Sequence, residues 1–505
     1  MSNKPVRAWA PFNWGLPVAC GLTAALAGTA LASGLLRPWA LALVLGVYLV
    51  VGSVPLSFRL GAGKRVALFF GLLALSDFLK RLVFLAPDQD PWSQYVAWLF
   101  PHIYFAIFVL APWILYKPGR AATAIRYGWP VGAFIVIALV NTWLAPGFGL
   151  VSRLAASLLL IMPWTMVFVA ASYPDALVPV WRVIIASGLL SALYAFWQFV
   201  SGPTPVELNW ALATSGFSIG ATHLAWVVEG VPGFWFWRVV GFQADSFTFG
   251  MFMVTALAGL FLLRAARALG RTSFVLGSLT FSLAVLVSLV RTVWVSWAAF
   301  LLSCWLFYRV RYIRNPWLTT FVVVAMFLGA GPLADYVYSS APRLALNNPV
   351  LQRAFTVGTL EARRHALEAL LSNLPGLWLF GYGYAASDWI TSKFGREVAL
   401  PPNFAAHNGF VELLWYTGLP GLVVFLIFIY ILFRSVQSAW PVADGPTRRM
   451  LGASLAYIVA VLVSGLGNGG AFWGYYLFFA AGSILGTTAL RVQAGQPPGV
   501  KLERQ

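Results

Sequence analysis

The chain has 505 residues, 60% hydrophobic and 10% charged, with a formal net charge of +18 and a mean hydropathy of +0.80. Soluble domains carry about 25% charged residues, so this composition excludes an ordinary water-soluble protein. The positive charge does not indicate nucleic acid as a partner. The basic residues stand in short clusters between apolar runs, not in a dense patch with interleaved aromatics.

The apolar runs are about 20 residues long, the length that crosses a bilayer as a helix. We read about 14 of them, an all-α polytopic membrane protein. Residues 1–200 hold N-terminal transmembrane helices centred near Ala25, Val47, Leu73, Phe105, Ile137, Leu160 and Leu190. Lys4 and Arg7 before the first run resemble the start of a signal peptide. That run is long for one and others follow it, so an uncleaved first span is expected. The third run is the least regular, because it contains Asp77, Lys80 and Arg81. Asp88 and Asp90 follow in a short loop between Pro87 and Pro91, where a solvated turn is favoured over a cation site.

Residues 201–245 form an outer or interfacial segment, with the aromatic cluster Gly233 to Arg238 read as an interfacial helix or belt. Residues 246–333 return to transmembrane helices near Val254, Leu283, Phe300 and Val323. Residues 334–408 make a large outer loop, 409–490 the C-terminal spans near Val424, Ile458 and Phe479, and 491–505 a tail. With the N-terminus inside, the clusters Arg59/Lys64/Arg65, Lys117/Arg120/Arg126, Arg264/Arg267/Arg271, Arg309/Arg311/Arg314 and Arg434/Arg448/Arg449 all fall on the cytoplasmic side, as does the tail. The two long segments then face outward, where loops on a helical scaffold carry sites.

Few polar residues face that side. Among the histidines, His223, His365 and His407 lie in the two long segments and His102 in the outer half of the fourth span. Arg291 sits where two helices meet with almost no loop, and its planar fork suits bidentate binding of phosphate oxygens. Arg238 follows the aromatic cluster and precedes Gly241 to Asp245. Arg363, Arg364 and His365 lie on an amphipathic helix of the second loop, before Gly381-Tyr382-Gly383, a turn where backbone approaches a ligand closely. His407-Asn408-Gly409 opens the twelfth span, and a histidine there suits a general base or a hydroxyl anchor. The two cysteines, Cys20 and Cys304, lie inside apolar runs and offer no disulfide or metal spacing. Walker, HExxH and GxSxG patterns are absent from the sequence.

Taken in order, these residues resemble the O-antigen ligase and polymerase (Wzy-like) family of bacterial membrane glycosyltransferases. The resemblance rests on Arg238 before Gly241 and Asp245, on Ser288-Leu289-Val290-Arg291, and on Arg363-Arg364-His365. Leu379 to Gly383, His407-Asn408-Gly409-Phe410 and Gly418 to Gly421 complete it. Where members usually show Ser-Arg at the turn, this chain has Val290-Arg291. The resemblance implies a GT-C-like helical fold in the inner membrane, with a long periplasmic loop, needing no cofactor or metal. The implied donor is an undecaprenyl-diphosphate-linked glycan and the acceptor a hydroxyl of lipid A–core or of another glycan. It assigns the diphosphate to Arg291 and Arg238, the acceptor proton to His407, and weaker substrate contacts to Arg363, Arg364 and Asn408. The rival from another class is a lipid-linked oligosaccharide flippase. It would show charges along a central cavity and related halves, neither evident in the sequence.

Overall fold

The computed structural model describes residues 60–82, 101–116, 118–145, 147–207, 225–227, 235–237, 239–243, 245–309, 380–386, 408–467, 472 and 474–495. These residues are helical apart from one short ribbon. The helices are α1 (Ala62–Leu82), α2 (101–116, π-helical over Phe105–Leu110), α3 (Pro118–Leu144), α4 (Leu150–Ser172) and α5 (Leu177–Ser201). Then follow α6 (Ser246–Ala265), α7 (Arg271–Val287), α8 (Arg291–Arg309), α9 (Gly409–Ala439), α10 (Gly445–Gly465) and α11 (Tyr475–Gly495). Eleven of the fourteen run centres fall inside these helices. Those at Ala25, Val47 and Val323 lie outside the described residues.

Five stretches are long and apolar enough to cross a membrane: Leu150–Ser172, Pro174–Ser201, Ser246–Ala265, Gly409–Ala439 and Gly445–Gly465. The chain is a multi-pass membrane protein. Its outward faces agree with that environment. On α7, Leu276, Leu279, Leu283 and Leu286 recur at helical spacing and are all exposed, an apolar stripe that water would penalise and lipid accommodates. Leu190, Leu193, Trp197 and Val200 do the same on α5.

The interior is built around α6 and α10, the most buried of the five spans, which pack on each other. A helix buried almost all round belongs at the centre of a bundle. α5, α7 and α8 surround α6, and α11 packs along α4. Stacking of Phe134 on Trp164, with centroids 3.9 Å apart, locks α3 to α4.

The ribbon pairs β1 (Ala225–Val227) antiparallel with β2 (Trp235–Trp237), Trp226 opposite Phe236. It corrects the helical reading of the aromatic cluster. Alternating large aromatics favour extended backbone once a partner strand is at hand, and that partner lies too far along the chain for local periodicity to reveal.

Candidate functional site

α7 ends at Val287 and α8 begins at Arg291, so the junction expected around Arg291 is the three-residue turn 288–290. Its geometry is held from within. The buried Ser288 hydroxyl donates to the Val285 carbonyl at 2.6 Å. The Trp294 indole N–H reaches the same carbonyl at 3.0 Å, and Leu289 takes the left-handed conformation at φ 54°. Arg291 is half-buried in the first turn of α8. A cation at a helix N-terminus opposes the dipole by about 0.3–1 kcal/mol. Together with the first-turn amides it makes that end strongly attractive to an anion.

Two other elements meet this junction, and a third joins through one of them. A methyl placed on Gly250, in the second turn of α6, would lie 2.6 Å from Val293 and 3.1 Å from the Ser288 hydroxyl. One placed on Gly467, just past α10, would lie 2.8 Å from Thr292. The neighbouring Leu466 carbonyl accepts from the Asn408 amide at 3.4 Å. Asn408 is itself the N-cap of α9, its Oδ1 accepting from Phe410 N–H at 3.0 Å and Val411 N–H at 3.3 Å. The starts of α8 and α9 thus meet at the end of α10, and the start of α6 packs on the start of α8. Thr292, next to Arg291, and Asn408 both meet the Leu466–Gly467 turn.

The stretch before α6 is fastened just as firmly. Gln198 accepts from Val240 N–H at 3.2 Å and from Gly241 N–H at 2.9 Å. Arg81 donates to the Gly241 carbonyl at 2.8 Å and to Glu207 at 2.9 Å, and the Gln198 amide donates to the same Glu207 oxygen. Ser191 closes the set, accepting from Phe242 N–H at 3.0 Å and donating to Gln243 at 2.8 Å. Gly241 has φ +51°, and a Cβ there would lie 2.4 Å from the Ser191 hydroxyl, so only glycine fits. Asp245 then caps α6 through Thr248 N–H at 2.7 Å. The Gly241 and Asp245 of the motif are therefore scaffold.

A cavity of about 340 Å³ opens beside this segment, between α1, α2, α4, α6, α10 and α11. Its polar lining includes Gln243 and Thr248, with His102 Nδ1 2.7 Å from the Tyr475 hydroxyl. Thr255 and Tyr457 hydroxyls meet at 3.0 Å across it.

The glycines of the second loop serve a different end from the one expected. The segment 380–386 runs against α9, which is kinked at Gly418 with Pro420 beyond. Tyr382 N–H donates to the Trp415 carbonyl at 2.7 Å and Gly383 N–H to the Tyr416 carbonyl at 3.1 Å. The second of these carbonyls would otherwise face the missing N–H of Pro420. A Cβ on Gly381 would fall 2.4 Å from the α9 backbone, and Gly383 has φ +75°. The backbone that approaches closely here belongs to the protein itself.

Of the site residues expected from sequence, Arg291 and Asn408 are described and lie at the same end of the bundle. Arg238, Arg363, Arg364 and His407 lie outside the described residues, as do His223, His365, Asp88 and Asp90. Arg81, Glu207 and Gln198 were not anticipated as a group. The signal available was Arg81 itself, a charge inside an apolar run, which requires a buried partner.

Residues 276–426 match the family model described as O-antigen ligase. The match runs from α7 through the Arg291 turn to the kinked part of α9. It covers less than a third of the chain, and over those residues the chain is similar to the family that the motifs suggested. No curated protein matches the chain.

Proposed function

We propose that the protein transfers a glycan from an undecaprenyl-diphosphate-linked donor to an acceptor hydroxyl at the periplasmic face of the inner membrane. Lipid A–core is the acceptor we favour, and repeat-unit polymerisation is the alternative on the same donor chemistry. The observation that carries this reading is the meeting of the first turn of α8, at Thr292, and the Asn408 cap on Leu466–Gly467. It sets a cationic helix start across a single turn from the residue that follows His407.

In the proposed reaction the acceptor oxygen attacks the anomeric carbon of the donor sugar. The bond from that carbon to the diphosphate oxygen breaks, and its electron pair leaves with undecaprenyl diphosphate. Arg291 and Arg238 stabilise the charge growing on the phosphate oxygens, as fixed guanidinium groups do in place of water. His407 takes the acceptor proton late, which an imidazole near neutral pKa does well. Arg363, Arg364 and Asn408 complete the substrate contacts. The cavity lined by His102, Gln243 and Thr248 gives the bound glycan an apolar-walled, hydrogen-bonding recess of the usual character.

The test is reconstitution in liposomes with a defined undecaprenyl-diphosphate glycan and either lipid A–core or a second repeat unit. Lipid A–core elongated by a single block supports the ligase. Lengthened glycan still on the carrier replaces it with the polymerase. Donor moved across the bilayer without transfer would overturn both.

A further inference from the structure

At the opposite end of the bundle a second cavity, about 710 Å³, is lined by Phe261, Arg264, Arg267, Phe274, Tyr308 and Arg449. These residues come from the end of α6, the turn after it, the start of α7, the end of α8 and the start of α10. Basic clusters that are far apart in sequence thus face one space. Its wall is aromatic: Phe261 meets Phe274 edge-on at 5.0 Å and lies near-parallel to Tyr308 at 6.4 Å. Among the described residues no carboxylate pairs with Arg264, Arg267 or Arg449. The Arg264 guanidinium donates to the Leu269 carbonyl at 3.1 Å, and the adjacent Arg448 binds the Trp440 and Pro441 carbonyls near the end of α9.

Arg267 stands out among the three. α6 ends in a Schellman motif, Ala268 N–H donating to Leu263 at 2.8 Å and Arg267 N–H to Arg264 at 3.1 Å. The first residue past the cap of such a motif is left-handed, and glycine is the usual occupant. Here it is arginine, at φ 58°. A non-glycine residue pays a conformational cost there. A long cation at that point, lining the same cavity as two others, indicates a use for the side chain.

We propose that this cavity is a binding site for the phosphate headgroup of an anionic phospholipid from the leaflet at this end of the bundle. The three guanidiniums receive the phosphate, and the Phe261–Phe274–Tyr308 wall receives the glycerol and upper acyl carbons. Charge complementarity fixes the occupant. Three cations with no carboxylate partner among the described residues, set against an apolar wall at a membrane interface, suit an anion with a lipid tail better than a free ion. The site is independent of the glycan chemistry at the other end.

The experiment uses the purified full-length protein in neutral detergent, titrated with cardiolipin, phosphatidylglycerol, phosphatidylcholine or inorganic phosphate. Native mass spectrometry reads bound lipid and differential scanning fluorimetry reads the melting temperature. Cardiolipin and phosphatidylglycerol should bind and raise the melting temperature, while phosphatidylcholine and phosphate do neither. Each arginine near an anionic surface contributes about fivefold in affinity, so Arg267→Gly should weaken binding about fivefold and Arg267→Gly with Arg449→Gln about twenty-fivefold. Arg267→Gly also separates binding from folding, because glycine relieves the left-handed strain. Its melting temperature without lipid should equal or exceed that of the wild type while its lipid affinity falls. Equal lipid retention by the double variant and the wild type would overturn the site. So would the same thermal shift from phosphate or phosphatidylcholine.

Discussion

Arg81 and Glu207, 126 residues apart, form a buried ion pair with Nη1 2.9 Å from Oε1. The pair joins the end of α1 to the residues just past α5, and through the Gly241 carbonyl it holds the segment that leads out of Arg238. Neither charge is left to itself: Thr204 N–H donates to the second Glu207 oxygen at 2.9 Å, and the Tyr194 hydroxyl to the first at 3.2 Å. Satisfying a buried carboxylate this fully is what makes the pair tolerable in a low-dielectric interior.

Removing one partner strands the other. Glu207→Leu should therefore cost about 3–5 kcal/mol, visible as a large drop in melting temperature of the detergent-solubilised protein. Glu207→Gln keeps most of the hydrogen bonds and should cost less. If Arg238 holds donor phosphate, Glu207→Gln should raise the donor KM more than it lowers kcat. An unchanged KM would confine the network to a structural part.

Asn408 makes two kinds of contact that substitutions separate. Its Oδ1 caps α9, and its amide nitrogen ties the cap to Leu466. Asn408→Asp keeps the cap and loses the tie, so stability should stay near wild type while transfer activity falls. Asn408→Ala loses both, with about 1 kcal/mol of cap energy added to the deficit. Thermal melts run beside a transfer assay read the two effects apart. Equal activity in Asn408→Asp and the wild type would show that the tie to Leu466 does not position the reacting groups.

Much of the scaffold was legible in the sequence because lipid imposes a simple rule. Every span must satisfy its own backbone and face outward with apolar residues, which leaves a run of recognisable length. The α1 run was the least regular for a reason now visible: Arg81 is balanced by Glu207, a partner no local window contains. The Arg291 turn was legible because two apolar runs abut there. The fastening of Gly241 by Gln198, and of Gly381–Gly383 by the kink in α9, was not. Both depend on backbone groups left open by a particular bend, and such groups leave no pattern in side-chain polarity.

Orientation is checked from one position. From the charge pattern we propose that residues 334–408 lie outside the cytoplasm. A cysteine at Ser387, with Cys20 and Cys304 replaced by serine, should react with a membrane-impermeant thiol reagent in intact spheroplasts. Labelling only after permeabilisation would reverse the topology and move the proposed site to the cytoplasmic face.

Arg291→Lys keeps the charge at the start of α8 but loses the planar fork. One ammonium cannot reproduce a bidentate contact on phosphate, so transfer should fall by about a hundredfold, the scale seen when one preorganised donor is removed. Arg238→Lys should lose less. The fold should survive Arg291→Lys, because the turn is held by Ser288 and Trp294. A wild-type rate in Arg291→Lys would make the residue an interfacial anchor.

His407 is the residue on which the proposed chemistry turns. If its imidazole takes the acceptor proton, His407→Ala should lower kcat by about a hundredfold or more, within the usual range for a general base. Donor affinity should hardly change, since guanidinium groups and not the histidine engage the diphosphate. The pH–rate profile of kcat should lose its acidic limb in the variant, because protonating a base below its pKa is what suppresses the wild-type rate there. EDTA should leave the rate intact if arginines alone neutralise the phosphates. The contrary pattern is specific: activity lost in EDTA, restored by Mg²⁺ or Mn²⁺ and abolished by Asp90→Asn. It would transfer the charge-stabilising role from the arginines to a cation at Asp88 and Asp90. Two carboxylates in a short proline-flanked loop supply few of the six or so oxygens such an ion needs, so the arginine arrangement is the expected outcome.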